Sequence, residues 1–304
     1  MAMSDQPRHH HGHDDHGHDH RVHFDTPAAA EFAELEGEAL LPIVETGVGH
    51  LAAECDRRGL AVRTIVDLGC GPGVGTGVLA GRFADAVLVA TDGSDEMLAR
   101  AAARAERLGF STRMRMRRLA LPDEIEQLDR ADVIWASMVL HHVGDEVAAL
   151  RRLRPALERG GVLALVERAQ PTRVVLSGVN AGGPELWSRL DTAWESWFAD
   201  MRAELPGSTS SDDYRTMLDA AGYQVIADEV LPLERAAPLD DRVARFAHEH
   251  LARSRRQLVA YAEADDLGAL DELIGAQQGH GFVQQHGSLH VARRLFVAIA
   301  DPAA

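Results

Sequence analysis

The run Val66-Asp67-Leu68-Gly69-Cys70-Gly71-Pro72-Gly73 constrains this chain more than any other segment. It follows a β-rich stretch, Arg63 to Leu68, and precedes helical spacing from Val74 to Phe83, so three glycines fall where a strand turns directly into a helix. Glycine removes the side chain where a backbone turns tightly or lies against a ligand, and the free amides at a helix start suit a nucleotide-like group. The dinucleotide fingerprint Gly-x-Gly-x-x-Gly is not met. Counted from Gly69 its sixth position is Val74, and from Gly71 it is Thr76. Asp92, nineteen residues beyond Gly73 at the end of the next β-rich run, is placed to accept hydrogen bonds from ribose hydroxyls. A ribose is therefore expected, with no sign of a pyrophosphate.

The rest of the chain repeats this alternation. Ala86 to Thr91 reads as a second strand, and Ser94 caps a helix whose buried stripe (Met97, Leu98, Ala101, Ala102, Ala105, Leu108) ends at Gly109. Thr112 to Leu119 alternates Arg with Met, the pattern of a strand with a charged face at a protected sheet edge. Ala131 to Ser137 is a fourth strand, Asp145 to Leu157 a helix stopped by Gly160-Gly161, and Val162 to Val166 a fifth strand. After Glu167 the regularity lapses. A helical insertion with a loop is expected at about 169–211, then a short helix (Asp212 to Ala221), a strand (Tyr223 to Leu231), a second helical insertion at about 236–288 and a last strand (Leu289 to Ala298). Nearly continuous apolar strands separated by helices predict an α/β fold, Rossmann-like and doubly wound. Its seven-stranded sheet is mostly parallel, with helices on both faces and helical lid insertions. Residues 24–304 read as one domain preceded by a tail.

Four motifs, in order, resemble the class I S-adenosylmethionine-dependent methyltransferases, and most of all a small-molecule branch similar to quinone-biosynthesis methyltransferases. They are Asp67-Leu-Gly-Cys-Gly-Pro-Gly73, Asp92-Gly-Ser-Asp-Glu-Met-Leu98, Ser137-Met-Val-Leu-His-His-Val143 and Leu153-Arg-Pro-Ala-Leu-Glu-Arg-Gly-Gly161. The resemblance implies S-adenosylmethionine as cofactor. Gly69, Gly71 and Gly73 would pack against its methionine part, with Asp67 ordering that loop and its amino group. Asp92 would bind the ribose, Met97 and Leu119 would flank the adenine, and Ser137 would close the site after the fourth strand. Many members carry an acidic residue shortly before a Leu-Pro pair, seen here as Leu121-Pro122. This chain has Arg117, Arg118, Leu119 and Ala120 there instead, so adenine recognition is expected to use backbone groups near Ala120.

Methyl transfer is an in-line displacement needing alignment, exclusion of water and the management of one proton. His141 and His142, just past the fourth strand, are the candidate bases for a hydroxyl or amine acceptor. Trp187, Trp194 and Trp197, spaced to share one helical face, are candidates for an aromatic pocket wall or a packing stripe. His280, His286 and His290 fit no metal template and read as loop histidines, so no metal site is expected in the domain.

Charge and composition bound the alternatives. The chain has 304 residues, no lysine among its 31 basic residues, and a formal net charge of -16. That balance disfavours a nucleic-acid partner, whose phosphates need a basic surface, and favours an uncharged or cationic small molecule. Apolar runs are too short to cross a bilayer, no signal-like segment opens the chain, and two cysteines make no disulfide scaffold, so a cytoplasmic setting is expected. Residues 1–23 hold eight of the sixteen histidines among Asp and Gly, a composition for a solvated tail able to pick up transition metals adventitiously. The expected function is methyl transfer to an O, N or C atom of a small molecule. The alternative is a noncatalytic cofactor- or metal-binding interaction protein using that tail.

Overall fold

The computed structural model describes residues 26–208, 212–275 and 280–300. The His-rich tail lies outside the described residues. Seven strands form one sheet: β1 (Thr64–Leu68), β2 (Val87–Asp92), β3 (Met114–Arg118), β4 (Ala131–Ser137), β5 (Leu157–Leu176), β6 (Tyr223–Arg235) and β7 (Gly287–Ala300). Their order is β3-β2-β1-β4-β5-β7-β6. The first five run parallel, and β7 is inserted antiparallel between β5 and β6. The Arg-rich strand β3 is an edge, as its alternation predicts.

Period-two alternation on fully buried strands supplies two cores. Ile65, Leu88, Val133, Trp135, Val162 and Ala164 face one cluster, which holds α2 (Leu41–Arg57) and α3 (Val74–Arg82). Val66, Val89, Ile134, Leu163 and Leu165 face the other, with α5 (Glu146–Leu153) and α7 (Tyr214–Ala220). α4 (Asp95–Leu108) begins at Ser94, whose hydroxyl accepts from the Met97 amide at 3.3 Å, and ends at Gly109 with φ +78°. α1 (Pro27–Ala39) precedes α2, and α6 (Leu186–Ala203), α8 (Asp241–Gln257), α9 (Ala264–Gly275) and α10 (His280–His286) complete the helices among the described residues.

Four sequence expectations are corrected. α5 stops at Leu153, not Leu157, because Pro155 two residues later lacks an amide hydrogen and disfavours helix before it; a single 3-10 turn follows and Leu157 is already in β5. Gly160-Gly161 therefore lies in a strand irregularity and is no helix stop. β5 also runs on through Leu176 into the segment read as a lapse, pairing with Gly287–Arg293 of β7. Pro171 breaks the alternation there and sits at a register shift beyond the end of β4, where one strand edge no longer has a partner. Last, His280 and His286 belong to α10 and His290 to β7, so none of the three is a loop residue.

Candidate active site

The carboxyl ends of β1 to β4 stop at one edge while β5 and β7 continue past it, and α1, α6 and α8 close over the step. The result is a cavity of about 1190 Å³. Its two halves differ in chemistry.

The first half is built on the β1–α3 turn. Gly69 and Gly71 line it, with φ +67° and +51°. An added Cβ at Gly69 would lie 2.4 Å from the Val139 side chain, whereas one at Gly71 would meet no protein atom within 4 Å. Gly73 does not line the cavity. It is the N-cap of α3, at φ +77°, and its Cβ would stand 2.9 Å from the Ala101 backbone of α4, so its smallness serves helix packing. Asp92 Oδ2 accepts from the Gly71 amide and Oδ1 from the Ser94 amide, both at 2.9 Å, which pins the glycine turn to the end of β2. Asp67 is buried beneath the turn and accepts from the Thr76 hydroxyl at 2.5 Å. Burial pushes its carboxyl up to about 7, against the Thr76 hydrogen bond and with help from the negative charge of Asp92. Burial also pushes the Cys70 thiol well up, so it stays protonated.

Met97, Leu119, Ala120 and Ser137 also line this half. The Ala120 amide donates to Glu124 Oε2 at 2.7 Å, so a carboxylate does sit at this corner. It comes from four residues after Ala120 rather than from before the Leu-Pro pair. That hydrogen bond is the leading reason that Glu124 is held below the usual carboxylate range.

The second half is lined by His141, His142, Glu167, Trp194, Trp197, Phe198 and a set of cations. His141 Nδ1 lies 2.7 Å from Glu167 Oε2, and Glu167 Oε1 accepts from the Val139 and Leu140 amides at 3.2 and 2.9 Å. One buried carboxylate of β5 thus holds the whole turn after β4. The His142 ring sits 3.9 Å from that of His141, and burial, then the neighbouring His141 and Arg253, lowers it well below the ordinary histidine range. Trp194 stacks on Phe198 at 4.9 Å, and Trp197 is 5.6 Å from Trp194. Trp187 does not reach the cavity. Two helical turns before Trp194, it is displaced about 10 Å along α6 at the usual rise per residue, and there it packs on the apolar core.

Sequence reasoning missed the cations. Arg168 follows Glu167 on β5, Arg293 lies opposite it on β7, and Arg253 and His250 project from α8. The pair Glu167-Arg168 at a strand end was a usable signal. The other three are brought together only by the β5–β7 pairing and the α8 insertion, which leave no local pattern. Net charge describes the whole chain, and it gave no sign that three guanidinium groups meet in this half, beside Glu36, Glu167, Glu204 and Asp212.

A seven-stranded sheet of this order, turned by glycines into a cavity at its carboxyl edge, is the Rossmann-like methyltransferase fold. The family described as methyltransferase domain matches residues 66–163. Over 231 residues the chain is 40% identical to the trans-aconitate 2-methyltransferase of Methylobacterium radiotolerans, covering 74% of this chain and 76% of the relative. A second protein of that name, from Variovorax paradoxus, is 38% identical over 123 residues, 40% of this chain and 45% of its own. Among solved structures, an S-adenosylmethionine-dependent methyltransferase from Geobacter sulfurreducens matches with a TM-score of 0.43 and 17% identity, over 79% of this chain and 85% of that one. The chain belongs to the class I S-adenosylmethionine-dependent methyltransferases, and it is an enzyme acting on a small molecule. No helix among the described residues is long and apolar enough to cross a membrane, and no cluster of three or more metal-ligating side chains occurs among them.

Proposed function

We propose that this enzyme methylates a carboxylate oxygen of an unsaturated polycarboxylate of the trans-aconitate kind. The observation that carries the reading is the convergence of Arg168, Arg253 and Arg293 in the half of the cavity away from the glycine turn. Guanidinium forks match carboxylates in shape as well as charge. The likeness to a trans-aconitate 2-methyltransferase over three quarters of both chains points the same way. Trp194, Trp197 and Phe198 give that half apolar walls beside the cations.

The first half of the cavity fits S-adenosylmethionine. Gly71 leaves an open cradle, Asp67 is a desolvated carboxylate suited to an ammonium group, and Asp92 stands at the strand end suited to ribose hydroxyls. The glycine turn, Met97, Leu119, Ala120 and Ser137 complete that half, and the cofactor supplies an electrophilic methyl group. A carboxylate acceptor is already ionised at neutral pH, so His141 and His142 need take no proton. His141, tied to Glu167, then sets the shape of the wall, and a neutral His142 avoids repelling a sulfonium. Excluding water favours a displacement in which opposite charges cancel.

The His141–Glu167 pair is also the arrangement of a histidine general base, which favours a second reading, a hydroxyl acceptor as in quinone-biosynthesis enzymes. Methyl-labelled S-adenosylmethionine separates the two. Incubation with trans-aconitate and saturating S-adenosylmethionine should give label in a product that mild alkali releases, as an ester requires, at a rate nearly flat from pH 6 to 8. Alkali-stable transfer to a phenol or quinol, with no transfer to trans-aconitate or other polycarboxylates, would overturn the carboxylate reading.

A further inference from the structure

The three cavity arginines are not equivalent. Arg293 is buried on β7 and already donates to Glu36 of α1 at 3.2 Å. Arg168 is paired with Asp212 at 3.4 Å and lies flat on Trp194, its guanidinium carbon 3.6 Å from the ring centroid. Its Nη1 is buried without a hydrogen-bond partner while Nη2 is taken by Asp212, leaving one terminal nitrogen free rather than both. Arg253 differs from both. Among the described residues no carboxylate lies within ion-pairing distance of it, and its packing contact is the Phe32 ring, 4.8 Å from the guanidinium carbon. Partly buried at the cavity wall, it is lowered from the usual guanidinium range by burial while the more distant Glu36 opposes that, so it is a partly desolvated charge facing the cavity without a carboxylate partner among the described residues.

We propose that Arg253 holds a carboxylate of the acceptor that does not react, and thereby selects acceptors with two or more carboxylates. This rests on the carboxylate reading above and narrows it. The reacting oxygen must stay nucleophilic, and a bidentate guanidinium would withdraw its charge, so the complete fork belongs on another carboxylate. Arg168, with only its Nη1 unpartnered, can orient the reacting group without closing both nitrogens on it. Arg293, committed to Glu36, contributes field rather than a fork. An acceptor with one carboxylate would leave Arg253 without a partner.

The test is steady-state kinetics of the full-length enzyme with trans-aconitate and with crotonate, an unsaturated monocarboxylate, for wild type, Arg253→Gln and Arg253→Lys. Loss of a partly buried, charge-assisted hydrogen-bonded pair predicts a rise in KM for trans-aconitate on the order of 10-fold or more in Arg253→Gln. Its kcat should change far less, and Arg253→Lys should recover part of the loss. With crotonate, wild type and Arg253→Gln should be alike and equally poor. Unchanged affinity for S-adenosylhomocysteine and an unchanged melting curve confirm an intact fold. Equal losses on both acceptors, or no loss on trans-aconitate, would overturn the role of Arg253 while leaving carboxylate methylation standing. A wild-type enzyme that methylates no carboxylate would overturn the function itself, and this role with it.

Discussion

Asp67 shows how a residue can be prepared for a ligand. Its carboxyl is buried under the glycine turn, accepts from Thr76 and is pushed up to about 7 by burial first and Asp92 after it. Without ligand the raised carboxyl contributes stability that is complete below the ordinary aspartate range and lost as the pH climbs through about 7. An ammonium group placed beside it reverses the preference by favouring the ionised form. On the proposed assignment, affinity for S-adenosylhomocysteine should therefore rise as the pH goes from about 5 to about 7 and level off above. Calorimetry at pH 6 in two buffers of different ionisation enthalpy should detect proton release on binding. Proton uptake, or no exchange, would place the amino group elsewhere. Glu167 is the contrasting residue, since both of its oxygens are occupied by the β4 turn and by His141, so it holds shape.

At the level of elements, the β1–α3 turn carries glycines for three separate reasons. Gly73→Ala would force a side chain into the left-handed region and against the α4 backbone, costing about 2 to 4 kcal/mol by the usual sizes of those two penalties. Gly71→Ala meets no protein atom, so it should cost only about 1 to 2 kcal/mol of stability while its methyl group enters the cofactor half. Thermal melts and S-adenosylhomocysteine titrations should thus move in opposite proportion in the two variants. Similar melting losses and similar affinities in both would contradict this division. The order of these elements was legible in the sequence because β1, β2 and β4 are short apolar runs, β3 is an Arg–Met alternation, and each is closed off by Gly, Ser or Pro. The overrun of β5 was not, because Arg168-Ala-Gln-Pro-Thr-Arg173 has no alternation to display. Its pairing is imposed by β7, more than a hundred residues away. The same long-range pairing hid the proposed acceptor half, whereas the glycine turn and Asp92 marked the proposed cofactor half locally. Trp187 misled for a related reason: shared angular position on a helix says nothing of distance along it.

Across the whole molecule, α1 acts as a strap over both halves of the cavity. Toward the cofactor half, Glu34 and Glu38 pair with Arg104 of α4 at 2.7 and 2.6 Å, and Arg104 Nε donates to the Pro72 carbonyl of the glycine turn at 3.2 Å. Toward the acceptor half, Glu38 pairs with Arg242 of α8 at 3.0 Å and Glu36 with Arg293 of β7. The acidic balance that argued against an anionic ligand is thus partly spent on binding arginines inside the protein. Arg104 is the strongest of these ties because it is buried and joins the strap directly to the turn. Removing it as Arg104→Ala would leave Glu34 to Arg100 and Glu38 to Arg242, and would untie α1 from the glycine turn. Full burial would put the cost at about 3 to 5 kcal/mol, and both glutamates keep about a quarter of their side-chain exposure, so about 1 to 3 kcal/mol is expected. Hydrogen exchange should then quicken across Pro27–Ala39 more than across α5, and S-adenosylhomocysteine should bind more weakly. Addition of the ligand should restore part of the protection, because a turn held by cofactor presents Pro72 and the α4 end in one arrangement. Exchange that quickens evenly over the whole sheet would instead make Arg104 a general core residue, and α1 no strap.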